Sequence, residues 1–310
     1  MEAKRISLVI PAFNEAGNIE KCVSEIDKHL SQYNYQILFV DDGSKDDTLK
    51  ELRKISSANS KVHYLSLSRN FGHQNALRAG LESADGDCVI SLDADLQHPP
   101  ELIPEMIKKW EEGYDVVQTI RKGNKKLPLF KRFTSGLFYK FLNGISEVKI
   151  ESGAADFRLL DRRIVDIIKD IKDPMLFLRG LVPWLGFRQT SISFTVGERH
   201  SGESKYTFKK MFRLALDGIM SFSIKPLRTA IVFGFIMSSI AFVYGLYALG
   251  MFLFTDQVVS GWTSLVLSIV FMGGIQLLFL GIIGEYLGKL FISVKQRPNY
   301  LIKESSLDND

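Results

Sequence analysis

The sequence predicts an α/β domain with a mostly parallel sheet, followed by an interfacial helix and two transmembrane helices. Two observations support this class. Short apolar runs alternate with helical patterns of 10 to 17 residues through about the first 120 residues. Farther on, the 56 residues 229–284 contain one charged side chain, Asp256, whereas the rest of the 310-residue chain carries 73. This division excludes a purely soluble protein and a disordered or collagen-like one, and two cysteines exclude a disulfide-stapled secreted domain.

The predicted strands are short, apolar and rich in β-branched residues, and they occupy residues 6–12, 36–40, 62–67, 88–92 and 115–119. Between them, apolar residues recur with helical spacing at residues 15–31, 46–57, 73–84 and 100–112. Strands and helices that alternate in this way build a parallel sheet with helices on both faces. Ligands of such sheets bind at the carboxyl ends of the strands, so the residues directly after each strand are the candidates for a site.

Polar clusters follow three of the predicted strands. Residues 11–15 read Pro-Ala-Phe-Asn-Glu, residues 41–48 read Asp-Asp-Gly-Ser-Lys-Asp-Asp-Thr, and residues 93–97 read Asp-Ala-Asp-Leu-Gln. Ser44 and Asp47 also resemble a capping box, so part of the second cluster could simply begin a helix. Capping does not account for three polar clusters at one edge of a sheet, which indicates a binding site there.

The third cluster has the chemistry of a cation site. Asp93 and Asp95 are spaced so that both carboxylates can approach one hard cation, Mg²⁺ or Mn²⁺, whose other positions go to water and diphosphate oxygens. The Asp-x-Asp spacing alone is a weak signal. Its place at the end of the fourth strand, beside the other clusters, makes it a strong one.

The uncharged region contains two candidate membrane spans. Residues 229–255 and 257–284 are runs of 27 and 28 residues without a charge. Each run exceeds the roughly 20 residues that a helix needs to cross the hydrocarbon core. A buried hairpin of a soluble protein is the alternative, but nothing else in a chain of this size could cover such helices on all sides.

Basic residues predict the orientation of these spans. Lys225 and Arg228 precede the first run, Lys289, Lys295 and Arg297 follow the second, and the connection near Asp256 has neither Lys nor Arg. The positive-inside rule therefore places both termini in the cytoplasm, at the inner or plasma membrane. No signal-peptide pattern occurs at the N-terminus, so we expect about the first 200 residues to fold in the cytosol with reduced cysteines.

Residues 207–227 interleave large apolar side chains with Lys209, Lys210 and Arg213. This pattern is typical of a helix that lies at the headgroups of an anionic membrane, although an amphipathic helix packed on the soluble domain has a similar one. The predicted organisation is a cytoplasmic domain at 1–206, juxtamembrane helices at 207–227, a transmembrane hairpin at 228–286 and a cytoplasmic tail at 287–310.

Four motifs together resemble the family 2 glycosyltransferases of the GT-A fold: Ile10-Pro-Ala-Phe-Asn-Glu15, Val40-Asp-Asp-Gly-Ser44, Asp93-Ala-Asp-Leu-Gln97 and Arg199-His-Ser-Gly-Glu-Ser-Lys-Tyr206. Within that family, the chain is most similar to polyprenyl-phosphate glycosyltransferases, the dolichol-phosphate mannose synthases and bacterial bactoprenol glucosyltransferases. The two C-terminal helices match the bacterial type. The resemblance implies inverting transfer of a sugar from a nucleotide diphosphate, with UDP-glucose as the best candidate, to undecaprenyl phosphate at the cytoplasmic membrane face.

The resemblance also implies roles for individual residues. The residues that it assigns to nucleotide binding are Pro11, Asn14, Glu15, Asp42 and Asp93, of which Asp42 would contact the nucleobase. Those that it assigns to Mg²⁺ or Mn²⁺ are Asp93, Asp95 and Gln97, and the catalytic carboxylate is Asp156. Those that it assigns to donor and acceptor phosphates are Arg121, Arg132, Arg199, Ser204 and Lys205. Four lysines could replace Arg121 and Arg132 in this role, namely Lys122, Lys125, Lys126 and Lys131.

Asp156 need not act as a base in such a reaction. A lipid phosphate is already largely anionic at pH 7, because the second pKa of a phosphate monoester is about 6. Our hypothesis is that Asp156 positions the acceptor or helps to remove a residual proton. His73, His98 and His200 lie near the motifs, and we assign none of them a direct role.

Other interpretations stay open on the sequence alone. The same reaction could use UDP-N-acetylglucosamine, a formamido-arabinose donor or GDP-mannose. A non-catalytic membrane subunit of a lipid-sugar translocation system is an alternative of another class, although intact Asp93, Asp95 and Asp156 argue against it. The pI of 8.8 is better explained by a membrane and phosphates than by nucleic acid, and we expect a homo-oligomer.

Overall fold

The computed structural model describes residues 4–121, 153–173, 178–194, 225–254 and 261–307. Four predicted phosphate-binding residues lie outside these ranges, namely Arg132, Arg199, Ser204 and Lys205. Residues 207–224 of the predicted interfacial segment also lie outside them. The chain divides into two compact units, a sheet domain and a helical unit.

Within the described ranges, eight strands form one sheet. Their bounds are Arg5–Ala12 (β1), Asn34–Asp41 (β2), Val62–Leu67 (β3), Cys88–Ser91 (β4), Val116–Arg121 (β5), Ala154–Asp161 (β6), Gln189–Phe194 (β7) and Ile302–Ser305 (β8). The strand order is β7-β5-β6-β4-β1-β2-β3-β8. Strands β4, β1, β2 and β3 are parallel, β7 is parallel to β5, and β6 and β8 run antiparallel to their neighbours. The predicted mostly parallel α/β sheet is confirmed.

In the part of the sheet domain that the structure describes there are six α-helices: Ile19–Leu30 (α1), Thr48–Ala58 (α2), His73–Ser83 (α3), Ile103–Glu111 (α4), Arg162–Asp170 (α5) and Leu178–Trp184 (α6). Helices α1, α2 and α4 pack together on one face of the sheet, and α3 packs with α5 on the other. The approach of α3 is close, because a Cβ on its Gly80 would lie 2.2 Å from Val9 Cγ1. The side chains of Leu8, Ile10 and Phe39 fill the core under α1, α2 and α4.

The strands β1 to β5 lie where the apolar runs predict them, whereas β6, β7 and β8 are absent from the prediction. Strand β6 is a central strand, yet Asp156 and Arg158 interrupt its apolar pattern. Charged residues inside a strand normally argue against burial, but here both are buried and pair with each other. Their mutual neutralisation explains why the pattern does not reveal the strand.

The C-terminal residues differ from the predicted tail at 287–310. The second long helix continues to Val294, and Ile302–Ser305 then completes the sheet as β8 beside β3. Arg53 makes a two-pronged ion pair with Glu304, which also accepts a hydrogen bond from the Tyr64 hydroxyl. Such ladder and side-chain contacts stabilise an edge strand, and residues 296–307 accordingly belong to the sheet domain.

The described residues of the helical unit form two long helices, Lys225–Phe254 (α7) and Trp262–Val294 (α8). Leu227–Tyr247 (21 residues) and Ser268–Val294 (27 residues) have mean hydropathies of 2.0 and 1.8. Both stretches are long and apolar enough to span a membrane, and their apolar side chains are exposed rather than buried in a core.

Candidate active site

The loops after β1 and β2 are joined by hydrogen bonds. The Asn14 backbone N–H donates to Ser44 Oγ at 2.9 Å, and the Lys45 N–H donates to Asn14 Oδ1 at 2.9 Å. The Glu15 N–H donates to Thr48 Oγ1 at 2.9 Å. Asn14 has a φ of 57°, a left-handed conformation that asparagine tolerates better than most residues. The first and second polar clusters therefore form one surface at the carboxyl edge of the sheet.

A cleft of about 370 Å³ opens at this edge. Five predicted site residues line it, namely Pro11, Glu15, Asp42, Asp93 and Asp95. Asn70, Gly72 and His73 line it as well. These three come from the segment after β3, which carries no acidic cluster and so gave no sequence signal. The third predicted cluster thus meets the other two, as parallel strand ends require.

Asp42 shapes the wall of the cleft. Its two carboxylate oxygens accept the backbone N–H groups of Phe71 at 2.7 Å and Gly72 at 2.9 Å. Burial raises the pKa of Asp42, and these two hydrogen bonds oppose that rise. Gly43 follows with a φ of +65°, and a Cβ there would lie 2.4 Å from the Arg69 carbonyl carbon. Asp42 and Gly43 thus hold the segment after β3 against the cleft. The family resemblance had implied only a contact between Asp42 and the nucleobase.

Asp93 and Asp95 stand in different surroundings within one turn. Asp93 is partly buried, and its Oδ1 lies 2.8 Å from His73 Nε2. Asp95 is exposed, and its Oδ1 accepts the Gln97 backbone N–H at 3.1 Å. Leu96, between Asp95 and Gln97, has a φ of 58°, which makes the turn tight. Gln97 is therefore part of the turn that carries both carboxylates.

The cleft has an excess of negative charge. Burial raises the pKa of Glu15, the hydrogen bond from Asn18 opposes that rise, and the charges of Asp95, Asp46 and Asp93 add to it. Crowded hard oxygen ligands of this kind fit a divalent cation. Among the described residues no three His, Cys, Asp or Glu side chains converge as a complete cage. A cation at Asp93 and Asp95 would thus take much of its coordination from water and phosphate oxygens.

His98 links the Asp93 turn to the core. It is 1% exposed, stacks on Phe157 with ring centroids 5.3 Å apart, and accepts the Asp93 backbone N–H at Nδ1 over 3.0 Å. Its Nε2 lies 3.1 Å from Nη2 of Arg121, at the end of β5. Burial lowers the pKa of His98, which favours the neutral ring. We assigned neither His98 nor His73 a direct role, and both contact Asp93.

Asp156 lies beside Asp93 because β6 runs antiparallel to β4. Ser91, the last residue of β4, pairs with Arg158, and the Asp156 carboxylate is near enough for its charge to oppose the lowering of the Asp93 pKa. Gln74 Nε2 donates to Asp156 Oδ2 at 3.3 Å, and the neighbouring His73 contacts Asp93. The structure thus brings Asp156 to the edge where the cleft lies.

Two arginines surround the Asp156 carboxylate. Arg158 Nη2 donates to Oδ1 at 2.8 Å. Arg179, in α6, donates from Nε to Oδ1 at 3.1 Å and from Nη2 to Oδ2 at 2.9 Å. Burial alone would raise the pKa of Asp156, but the two guanidinium groups hold it far below the usual range of an aspartate. Arg179 is not among the residues predicted from the sequence, because no motif relates it to Asp156 across 23 positions.

Comparisons with known proteins identify the family. The sequence profile of the family described as Glycosyl transferase family 2 matches residues 7–168. An uncharacterized glycosyltransferase of Bacillus subtilis, YkcC, is 44% identical over 301 residues, which cover 96% of this chain and 93% of the relative. The chain belongs to glycosyltransferase family 2. This finding confirms the family resemblance of the motifs and makes the protein a glycosyltransferase.

Further relatives of this glycosyltransferase match it over nearly its whole length. A prophage-derived bactoprenol glucosyl transferase of Shigella flexneri is 42% identical, over 98% of this chain and 99% of the relative. A prophage bactoprenol glucosyl transferase homolog of Escherichia coli is 41% identical, over 96% and 98%. Among solved structures, a mannosyltransferase from Pyrobaculum calidifontis matches with a TM-score of 0.50 and 16% identity, over 74% of this chain and 65% of that one. The last similarity supports the GT-A fold of the sheet domain.

Proposed function

We propose that this glycosyltransferase moves a sugar, with inversion, from a nucleotide diphosphate donor to a polyprenyl phosphate in the membrane. UDP-glucose and undecaprenyl phosphate are the proposed substrates. The observation that carries the proposal is one chain with both an acidic cleft at a sheet edge and two helices long enough to span a membrane. The relatives named bactoprenol glucosyl transferase, at 41% to 42% identity over nearly the entire chain, support it.

Mg²⁺ or Mn²⁺ belongs to this proposal. Asp93 and Asp95 would hold the cation, with Gln97 as a further ligand, and the excess negative charge of the cleft supports that choice. When bound, the cation would stabilise the charge that develops on the departing diphosphate. The nucleotide would occupy the surface formed by the loops after β1 and β2, which carries Asn14 and Asp42.

Arg121 fits the proposed role of a phosphate-binding residue. Its Nε is buried and has no hydrogen-bond partner among the described residues. A buried guanidinium N–H without an acceptor is costly, and a phosphate oxygen would satisfy it. Arg132, Arg199, Ser204 and Lys205 keep their proposed phosphate roles from the family motifs.

The acceptor explains why such a site would be attached to membrane helices. A polyprenyl chain stays in the bilayer, so the enzyme must work at the level of its phosphate. Lys225 and Arg228 are exposed at the start of α7, and each basic residue near an anionic membrane contributes about 1 kcal/mol of attraction. With Lys209, Lys210 and Arg213, they would place the catalytic domain and both termini on the cytoplasmic side, in a homo-oligomer of this chain.

Lipid labelling tests the proposal. Membranes that contain the protein and undecaprenyl phosphate are incubated with radiolabelled UDP-glucose, and the organic extract is counted. We expect label in the lipid phase, its loss with EDTA, and its return with Mn²⁺ or Mg²⁺. Asp93→Asn should reduce labelling by at least about 100-fold, since it removes charge at the cation. Asp166→Asn, an exposed aspartate on α5, is the matched control and should label like the unchanged protein.

The donor is identified in parallel reactions. UDP-N-acetylglucosamine, a UDP-linked formamido-arabinose and GDP-mannose replace UDP-glucose, and label from one of them instead would correct the sugar but keep the acceptor. Absence of lipid label with all four donors would contradict the proposed function.

A further inference from the structure

We infer that the C-terminal segment (residues 300–306) positions one wall of the cleft, so that binding of the donor nucleotide depends on it. The residues of this wall come from the loop after β3 and the first turns of α3, namely Asn70, Gly72, His73 and Ala76. Among the described residues that line the cleft, none belongs to the C-terminal segment, which therefore acts through the wall. The inference rests on the proposed function, because it takes a nucleotide as the ligand of the cleft.

The C-terminal segment is bound along the second half of β3 and one residue beyond it. The Ser306 backbone N–H donates to the Tyr64 carbonyl oxygen at 2.9 Å, at one end of the ladder between β3 and β8. At the other end, the Ser68 N–H donates to the Leu301 carbonyl oxygen at 2.8 Å. Ser68 follows the last residue of β3 and leads to Asn70. The last bond of the ladder thus holds the start of the cleft wall.

A second attachment lies at the far end of α3. The Tyr300 hydroxyl donates to Glu82 Oε2, and Arg78 Nε donates to Glu82 Oε1 at 2.5 Å. Arg78 is buried and also donates to the carbonyl oxygens of Ile171 and Asp173, at 2.6 and 2.7 Å. Burial, and then Glu82, raise the pKa of Tyr300, so its hydroxyl remains a donor at neutral pH. Tyr300 therefore joins the C-terminal segment to a buried network at the end of α3.

The two attachments enclose the cleft wall. All four residues of the wall lie between Ser68 and Glu82 in the chain. Asp42 holds the middle of this stretch by accepting two backbone N–H groups, and His73 contacts Asp93. A shift of the stretch would therefore move groups that line the cleft, next to the proposed cation site.

The loop at the start of the wall needs such contacts because it is exposed. Ser68, Arg69 and Asn70 are all exposed, so burial does little to order them. A loop that becomes ordered only on binding lowers the affinity of its ligand. If release of the C-terminal segment leaves the wall in its binding position for about one tenth of the time, the affinity for the nucleotide falls about 10-fold. Coupling is reciprocal, so the nucleotide should then strengthen the attachment of the segment by the same factor.

Hydrogen exchange of the unmodified full-length protein tests this reciprocity. The exchange of residues 300–306 is measured in detergent with and without saturating UDP and Mn²⁺. We expect UDP to slow this exchange by about 10-fold, while residues 26–30, at the end of α1, keep their rate. An unchanged rate in residues 300–306, or an equal slowing in residues 26–30, would overturn the inference.

A charge reversal tests the coupling from the other side. Glu304 accepts hydrogen bonds from Arg53 and Tyr64, so Glu304→Lys should release the C-terminal segment. The Kd for UDP with Mn²⁺, measured by calorimetry, should rise by about 10-fold. Exchange of the two charges in Arg53→Glu/Glu304→Lys should recover part of the lost affinity. Glu112→Lys, which reverses a carboxylate paired with Lys109, is the matched control and should bind UDP like the unmodified protein.

Kinetics distinguish a positioning role from general damage to the enzyme. In the lipid-labelling assay, Glu304→Lys should raise the KM for the sugar donor by about 10-fold and leave kcat within about 3-fold, because the segment acts on nucleotide binding. Fast exchange of residues 300–306 in this variant, together with an unchanged Kd for UDP and an unchanged donor KM, would overturn the inference. If Glu304→Lys does not fold or keeps the segment attached, the exchange experiment on the unmodified protein decides alone.

The inference and the proposed function can fail separately. If the unmodified protein labels no lipid with any donor, the proposed function is contradicted. If it labels lipid from UDP-glucose and UDP leaves the exchange of residues 300–306 unchanged, only the inference is contradicted. If the label comes from GDP-mannose instead, GDP replaces UDP in the exchange and calorimetry experiments.

Discussion

His98 makes aromatic contacts and accepts a backbone hydrogen bond, and single substitutions can separate these two. Its contact with Arg121 Nη2 is removed by either substitution. Its ring stacks on Phe157 and meets the edge of Phe194, and its Nδ1 accepts the Asp93 backbone N–H. His98→Phe keeps an aromatic ring but removes the acceptor. His98→Asn places an amide oxygen near the position of Nδ1 but removes the ring. If His98 holds Asp93 in place, the two variants should differ in activity more than in stability.

The expected stability losses are similar in size. His98→Phe leaves the Asp93 N–H without its partner, which costs about 1–3 kcal/mol. His98→Asn removes two aromatic contacts, each worth about 0.5–1.5 kcal/mol, or about 1–3 kcal/mol together. For a domain of 150 to 250 residues, about 1 kcal/mol changes Tm by roughly 2–4 °C. Both variants should therefore lose about 2–12 °C.

Activity should distinguish them. In the Phe variant the Asp93 backbone loses its bond to the imidazole while the contact with His73 stays. The Mn²⁺ concentration for half-maximal lipid labelling should therefore rise by about 10-fold, which corresponds to 1.4 kcal/mol. In the Asn variant it should stay within about 3-fold of the original. Thermal unfolding of the full-length protein in detergent, followed by tryptophan fluorescence, gives Tm for the same samples.

A variant destabilised elsewhere serves as the control. Ile26→Ala removes buried apolar volume in α1 and should lower Tm without changing the Mn²⁺ dependence. Unaltered Mn²⁺ dependence in His98→Phe, or an equal rise in both His98 variants, would refute the idea that the imidazole acceptor positions Asp93.

Two further substitutions test the scaffold. Gly43→Ala should lower Tm by several degrees, because it combines a positive φ with a 2.4 Å approach to the Arg69 backbone, whereas Gly17→Ala, with nothing within 4 Å of its Cβ, should not; equal effects would contradict the close packing. Glu304, whose pKa the hydrogen bonds from Arg53 and Tyr64 lower to about 2, should stabilise β8 fully above pH 4.5 and lose that contribution as the pH falls toward 2. The protection of residues 302–305 against hydrogen exchange, relative to the unfolded chain at the same pH, measures this loss. In Glu304→Gln this protection should no longer depend on pH, and a pH dependence retained in that variant would contradict the assignment.

The sequence predicted the parallel part of the fold because its strands are buried on both faces and read as continuous apolar runs. It also predicted that Asp93 and Asp95 would meet the first two loops, since parallel strand ends share an edge. Strand β6 was missed because Asp156 and Arg158 stand where apolar residues would, and their burial is tolerable because Asp156 pairs with both Arg158 and Arg179. Arg179 was missed for a related reason: an antiparallel central strand and a later helix bring it to Asp156, and no local pattern encodes that meeting.

The position of β8 also sets an order of events during synthesis. Strand β3 leaves the ribosome early, but its partner β8 comes 235 residues after Leu67, beyond both long helices. At roughly 5–20 residues per second, the β3 edge stays unpaired for about 10–50 s. An unpaired edge can join other chains, so the nascent enzyme is most prone to aggregate in this interval. In a chain that terminates within the two-helix hairpin, β3 would have no β8 to pair with. Its edge would stay exposed, and quality-control proteases could recognise the truncated chain by that edge.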